Sequence, residues 1–326
     1  MTAGRLRLHH DTPTKWDAWD LDEHYRARPV ALTGATEVST LARTDDRVTV
    51  RVRRVFGASR VSLDYTLRHG EPRLEIDVDL DWHEDQKLLK LQLPLDLHTD
   101  HATAEVAYGH LRRAIHTNTT WDEARFEVVA HRWLHVGEPG YGVALANEAT
   151  YGYDVTRESA GGRTATVIGI SLARAPRYPD PTSDRGRHAF RFALRPGSGV
   201  AEAVEEGYRL GVPLRRVADA ARDELTPLFT VAAPGVMIES VKAADDGSGD
   251  VIVRLYEAWG TRTRGTLTPR FAVSDVVETD LLERDSAPAI VRGRSVDGTL
   301  DIELRPFQLA TVRWVRQSRT PEGARR

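Results

Sequence analysis

Leu74-Glu75-Ile76-Asp77-Val78-Asp79-Leu80-Asp81-Trp82 alternates apolar and acidic residues without a break. A period of two places one residue set on each face of an extended chain, so the stretch reads as a half-buried antiparallel strand. Leu74, Ile76, Val78, Leu80 and Trp82 point inward, and Glu75, Asp77, Asp79 and Asp81 form a solvated face rather than a metal cluster, water screening their mutual repulsion. The same alternation recurs upstream in Val48, Val50, Val52 and Val55, and in Val61, Leu63, Tyr65 and Leu67. Downstream, strands are expected at Leu88 to Leu93, Ala104 to Tyr108, Phe126 to His135, Gly142 to Ala146, Thr164 to Leu172 and His188 to Leu194. Clusters such as Glu138-Pro139-Gly140 and Pro179-Asp180-Pro181 separate them. Many short strands punctuated in this way imply a mainly β fold, a sandwich or a barrel, and no repeat of propeller length is present. One helix is expected, Val200 to Leu210, with Gly207 counting against it.

A boundary is expected between Asp223 and Gly235, where Pro227 and Pro234 flank an apolar bridge. It divides a large domain, 1–226, from a smaller β domain, 227–316, and leaves a disordered arginine-rich tail, 317–326. Asp245 to Asp250 in the second domain carries calcium-type ligands, but its spacing is not that of an EF-hand, and a hairpin turn is the expectation. The 326 residues contain no cysteine, which excludes disulfides, thiolate metal sites and cysteine nucleophiles. A net charge of -3 gives no reason to expect nucleic acid or a membrane surface as partner. No apolar run approaches a membrane span, and the first residues lack a signal-peptide core, so a cytoplasmic protein is expected.

Function concentrates in Tyr108 to His135, where His116, Asn118, Thr119, Thr120, Trp121 and Asp122 crowd together. Polar edges beside one flat ring suit a sugar, which offers hydroxyls on its rim and C–H groups on its faces. The same residues also fit a plain turn, in which Asn118 and the threonines bond their own backbone and Trp121 plugs a core.

The stretch resembles a hallmark of the C-terminal half of glycoside hydrolase family 38, the metal-dependent α-mannosidases, most closely their cytosolic and bacterial branch. Six further segments are similar to that family in the same order: His10 to Tyr25, Asp81 to Leu93, Glu138 to Leu145, Ser171 to Pro176 with Tyr178 to Pro181, Arg254 to Ala258 with Asp280 to Arg284, and Arg305 to Gln308.

The resemblance implies a large antiparallel β-sandwich of the galactose-mutarotase-like supersandwich type, followed by a smaller C-terminal β-sandwich. It implies the later portion of an α-mannosidase that hydrolyses terminal α-mannosyl residues of oligosaccharides with retention. The catalytic carboxylates and the divalent metal, zinc or cobalt, belong in that family to an upstream barrel that no part of this chain resembles. No catalytic residue and no metal ligand is therefore assigned here, and the isolated chain is expected to be inactive. Its expected partners are a mannose-containing oligosaccharide and the N-terminal catalytic barrel half, and a homo-oligomer stays open. The expected substrate contacts are His116, Asn118, Trp121, Asp122, Arg174, Tyr178 and Asp180, with Trp16, Asp17 and Trp19 as weaker members. For Arg174 the bland reading is a buried pair with Asp180 or Asp184. His9-His10-Asp11, His83-Glu84 and His98 to His101 contain ligand types but lack the spacing of a metal motif. The alternative function is a stand-alone carbohydrate-binding sandwich without catalysis, and a third is a purely structural fragment.

Overall fold

The computed structural model describes residues 4–160, 162–215, 217–218 and 226–317. Two compact units emerge, one of residues 1–106 and 111–213, the other of residues 107–110 and 214–326. The division falls at Pro213/Leu214; most of the stretch leading to the proline-flanked bridge, and the tail from residue 318, lie outside the described residues.

The first unit stacks two antiparallel sheets. One has six strands in the order β10 (Val128–Val129), β13 (Gly152–Ala160), β14 (Arg163–Arg174), β7 (Lys87–Leu95), β1 (Arg5–His10) and β2 (Val30–Ala31). The other has nine: β3 (Glu37–Arg43), β4 (Arg47–Phe56), β5 (Ser59–Arg68), β6 (Leu74–Trp82), β15 (Gly186–Pro196), β12 (Tyr141–Asn147), β11 (Trp133–Glu138), β8 (His101–Val106) and β9 (Gly109–Ala114). The stretch that opened the sequence reading is β6, paired with β5 and β15. Ile76, Val78, Leu80 and Trp82 are buried against Leu89, Leu91 and Leu93 of β7 and Ile168 and Ile170 of β14 in one shared core. The acidic face of β6 is matched by arginine rather than left wholly to water. Arg60 reaches Asp81 at 2.6 Å, Arg191 reaches Asp77 at 3.1 Å, and Arg68 and Arg73 reach Glu75 at 3.2 and 2.9 Å, while Asp79 stays exposed.

Phe126 to His135 is not one strand, as its alternation implied. Val128 and Val129 pair with β13 in one sheet, and from Trp133 the chain runs in the other, paired with β8 and β12. The crossing is stable because side chains replace the ladder there. The buried Glu105 carboxylate accepts the Arg132 N–H at 2.6 Å and its Nε–H at 3.0 Å, and the Glu105 carbonyl accepts the His131 N–H at 3.0 Å. Ala104 to Tyr108 likewise ends early, because Tyr108 adopts φ 57 in the turn into β9.

The expected helix is α2, Val200–Gly211. Glu202 accepts the Gly199 N–H at 2.7 Å, and Glu206, wholly buried, takes Arg73 at 3.1 Å and Arg195 at 3.0 Å. Gly207 belongs to the helix for a packing reason: a Cβ there would stand 2.9 Å from Trp133 Cδ1.

The second unit contains two four-stranded sheets. Their orders are β16 (Phe229–Ala232), β19 (Thr263–Pro269), β22 (Leu300–Leu304), β21 (Val291–Arg294), and β17 (Val236–Ala243), β18 (Val251–Glu257), β23 (Leu309–Arg316), β20 (Val273–Thr279). Phe229, Leu255, Leu267, Ile302 and Trp314 lie in its core. The Asp245 to Asp250 stretch is the turn between β17 and β18, where Arg313 donates to Asp246 and Asp250, both at 2.7 Å. Glu257 is wholly buried and accepts backbone N–H groups from Trp259, Gly260, Thr261 and Phe307 at 2.8 to 3.1 Å. It ties the Arg254-to-Ala258 and Arg305-to-Gln308 segments together, which gives both a structural purpose.

Candidate functional site: three loops around a buried charge cluster

The six-stranded sheet of the first unit keeps its apolar residues for the core and turns a polar face outward. Arg5, Arg7 and His9 of β1, Lys90 of β7, Asp154 of β13 and Ser171 of β14 occupy alternate positions to the core residues Leu6, Leu89, Leu91, Tyr153 and Ile170. A fully buried ammonium must be paired. Lys90 bonds both Asp154 and Glu127, and lies 3.4 Å from the Tyr25 hydroxyl. Burial alone would lower the pKa of Lys90, but Asp154 and Glu127 outweigh it and hold it above the ordinary value. Tyr25 donates to Glu127, Ser171 lies 3.4 Å from the same carboxylate, and Arg26 bonds the Phe126 carbonyl and reaches Asp154 at 3.6 Å. His9 is buried edge-on to Tyr25, ring centroids 5.0 Å apart, and its Nδ1–H donates to the Tyr25 carbonyl at 3.2 Å. Burial pushes its imidazole down to about 4.

Two loops end on this cluster. The first, residues 11–29, leaves β1, crosses the sheet face through the 3-10 turn Glu23–Ala27, and supplies Tyr25 and Arg26. The second, residues 115–127, links β9 to β10 and supplies Phe126 and Glu127. A third, residues 175–185, between β14 and β15, meets the first at the end of the sheet. There Arg174 forms a bidentate pair with the buried Asp11 at 2.6 and 3.1 Å and donates to the carbonyls of Asp17 and Asp20 at 3.0 and 2.6 Å. Its partner is thus Asp11 and neither Asp180 nor Asp184. Burial raises the pKa of the Asp11 carboxyl, against the pull of Arg174. Asp17 accepts the N–H groups of Arg177 and Tyr178 at 2.7 and 3.1 Å, which locks the two loops together.

The structure brings Trp16, Asp17, Trp19, Arg174 and Tyr178 into one group and His116, Asn118, Trp121 and Asp122 into another. The Trp19 and Tyr178 rings meet edge to face at 6.5 Å, and Trp16, Trp19 and Tyr178 each expose two thirds of their surface. Asp180 accepts from the Thr182 N–H and hydroxyl at 2.8 and 2.7 Å; these bonds hold its carboxyl below the usual carboxylate range. In the other group, Thr119 caps the single helical turn α1 (Thr120–Glu123) by accepting the Asp122 N–H at 3.1 Å and donating to its carboxylate at 2.7 Å. His116 Nδ1 lies 3.5 Å from that carboxylate and accepts the Asn118 N–H at 3.5 Å. Trp121 is 77% exposed, so it plugs no core. The cavity behind His116 and Asp122 holds only about 40 Å³, the room of a water. That cavity has no room for a sugar ring.

The sequence reading missed Asp11, Tyr25, Arg26, Lys90, Glu127 and Asp154. One signal was available: Lys90 is among only four lysines and interrupts the apolar run Leu88 to Leu93. Among the described residues no three His, Asp or Glu side chains converge as a metal ion requires. His83 bonds Asp81 at 2.7 Å, and Glu84 accepts the Ser59 hydroxyl at 2.9 Å in the turn between β4 and β5.

Residues 1–182 match the glycosyl hydrolases family 38 C-terminal domain, and residues 235–312 match the glycosyl hydrolases family 38 C-terminal beta sandwich domain. The chain is 34% identical over 320 residues to alpha-mannosidase 2C1 of Homo sapiens, covering 95% of this chain and 30% of the human one. It is 28% identical over 331 residues to alpha-mannosidase G of Dictyostelium discoideum, with 96% and 29% covered. The crystal structure of an alpha-mannosidase from Enterococcus faecalis superimposes with a TM-score of 0.71 at 16% identity, covering 95% of this chain and 38% of that one. The chain thus spans about 30% of the length of the curated relatives it matches.

Proposed function

The chain belongs to the glycosyl hydrolases family 38 C-terminal domain family, and from that premise we propose that it is the accessory part of an α-mannosidase acting on terminal α-mannosyl residues of oligosaccharides. One observation carries this reading: the exposed Trp16, Trp19, Tyr178 and Trp121 rise from loops that the arginine and lysine pairs beneath them hold rigid. Such a surface forms one wall of a substrate cleft, with the rings against sugar C–H faces and Asn118 free to bond hydroxyls.

The reacting groups belong elsewhere. Retaining hydrolysis needs two free carboxyl groups about 5–5.5 Å apart across the glycosidic bond. In these loops Asp11 is spent on Arg174, Asp17 and Asp180 on backbone N–H groups, and Asp122 on its cap. The divalent metal, zinc or cobalt, would be held by an upstream barrel, as the family resemblance implies, and no step is routed through this chain. The working partners are that catalytic half and a mannose-containing oligosaccharide, and the compartment is cytoplasmic. Among the described residues no helix is long and apolar enough to cross a membrane.

The test is hydrolysis of a chromogenic α-mannoside by the purified chain with zinc or cobalt, before and after addition of a separately expressed barrel half from a relative. Silence followed by activity on mixing is the expected result; metal-dependent turnover by the chain alone defeats the reading. The exposure of Trp121 favours a second reading, a free-standing binding module. Mannoside affinity in the isolated chain that Trp121→Ala abolishes, with no activity on mixing, selects it.

A further inference from the structure

One strand in from the sheet edge, between β3 and β5, β4 carries an arginine on its inward face. Arg54 pairs across the ladder with Val61, a core residue, so its side chain leaves the strand on the inward face, and the residue as a whole is half-buried. Its Nε and Nη1 are shielded from solvent, and among the described residues no hydrogen-bonding partner reaches them. It borders a cavity of about 270 Å³ lined by Gly4, Arg5, Arg7, Leu32 and Thr33 among others, with no acidic residue in the wall among the described residues. One carboxylate, Glu158, serves Arg5 at 2.8 Å and Arg7 at 3.2 Å, and none serves Arg54.

An unpaired buried guanidinium is costly, and its planar fork of N–H groups matches the oxygens of phosphate or carboxylate. We infer that this cavity is a binding site for a small oxyanion, a phosphate or carboxylate group, held by Arg54. The volume exceeds the roughly 30 Å³ share of one water several-fold, which leaves room for a short carbon body against Leu32.

The 326-residue chain is melted in rising inorganic phosphate, in rising succinate and in chloride at matched ionic strength. Phosphate or succinate is expected to raise the midpoint saturably by a few degrees over chloride, and whichever is stronger identifies the source of the oxyanion. Arg54→Met should abolish that rise and, by removing an unpaired buried charge, melt no lower than the parent without ligand. Arg54→Gln, which keeps a polar head, provides the second comparison and should also lose the response. No rise above chloride, or a rise of equal size in both variants, overturns the proposal.

Discussion

At the scale of single residues, burial decides the chemistry of the sandwich face. Lys90 is satisfied only because Glu127 and Asp154 flank it, so removing the cation leaves two carboxylates with too few donors. Lys90→Met should cost about 3–5 kcal/mol in urea unfolding, and the further change Asp154→Leu should return part of it. His9 sets a pH dependence of definite sign. Its folded pKa of about 4 lies below the unfolded 6.5, because burial disfavours the cation. The unfolded chain therefore binds a proton first: the contribution is complete above pH 6.5 and is lost progressively as pH falls towards 4, on the order of 3 kcal/mol in all. Urea midpoints at pH 7, 5 and 4 should fall steeply in the parent and less steeply in His9→Asn, and parallel slopes would count against the assignment.

At the scale of elements, close approach matters more than propensity. Gly207 in α2 looks like a site where alanine would add about 1 kcal/mol of helix stability. The added Cβ would instead press on Trp133, so Gly207→Ala should lower the melting midpoint, by about 1–3 kcal/mol in stability. In α1 the cap is made by one side chain, and Thr119→Ala should speed hydrogen exchange at Asp122 and Glu123 while costing about 1 kcal/mol. Strands such as β6 and β14 were legible because period-two alternation is local. β1 and β13 were not, since their outward residues, among them Arg7 and Asp154, have meaning only through what covers them. The break inside Phe126 to His135 was invisible for a similar reason: the groups that satisfy His131 and Arg132 come from Glu105.

At the scale of the molecule, two separate cores imply two cooperative units. Calorimetry should resolve two transitions, and Trp314→Ala, at about 3–5 kcal/mol, should lower one and leave the other in place. A single transition shifted as a whole would show the units to be energetically coupled. The sequence by itself determined the β class, the strand-rich order of the chain and the family likeness, because each rests on residues near one another along the backbone. It also marked Trp121, Arg174 and Tyr178. Only the tertiary structure decided that Arg174 is bound to Asp11, that Asp122 is a cap, and that Lys90 joins two loops far apart along the chain. It alone left Arg54 without a counterion among the described residues. The physical reason is the same in each case: a charge taken out of water is governed by the partners brought to it, and folding draws those partners from far along the chain.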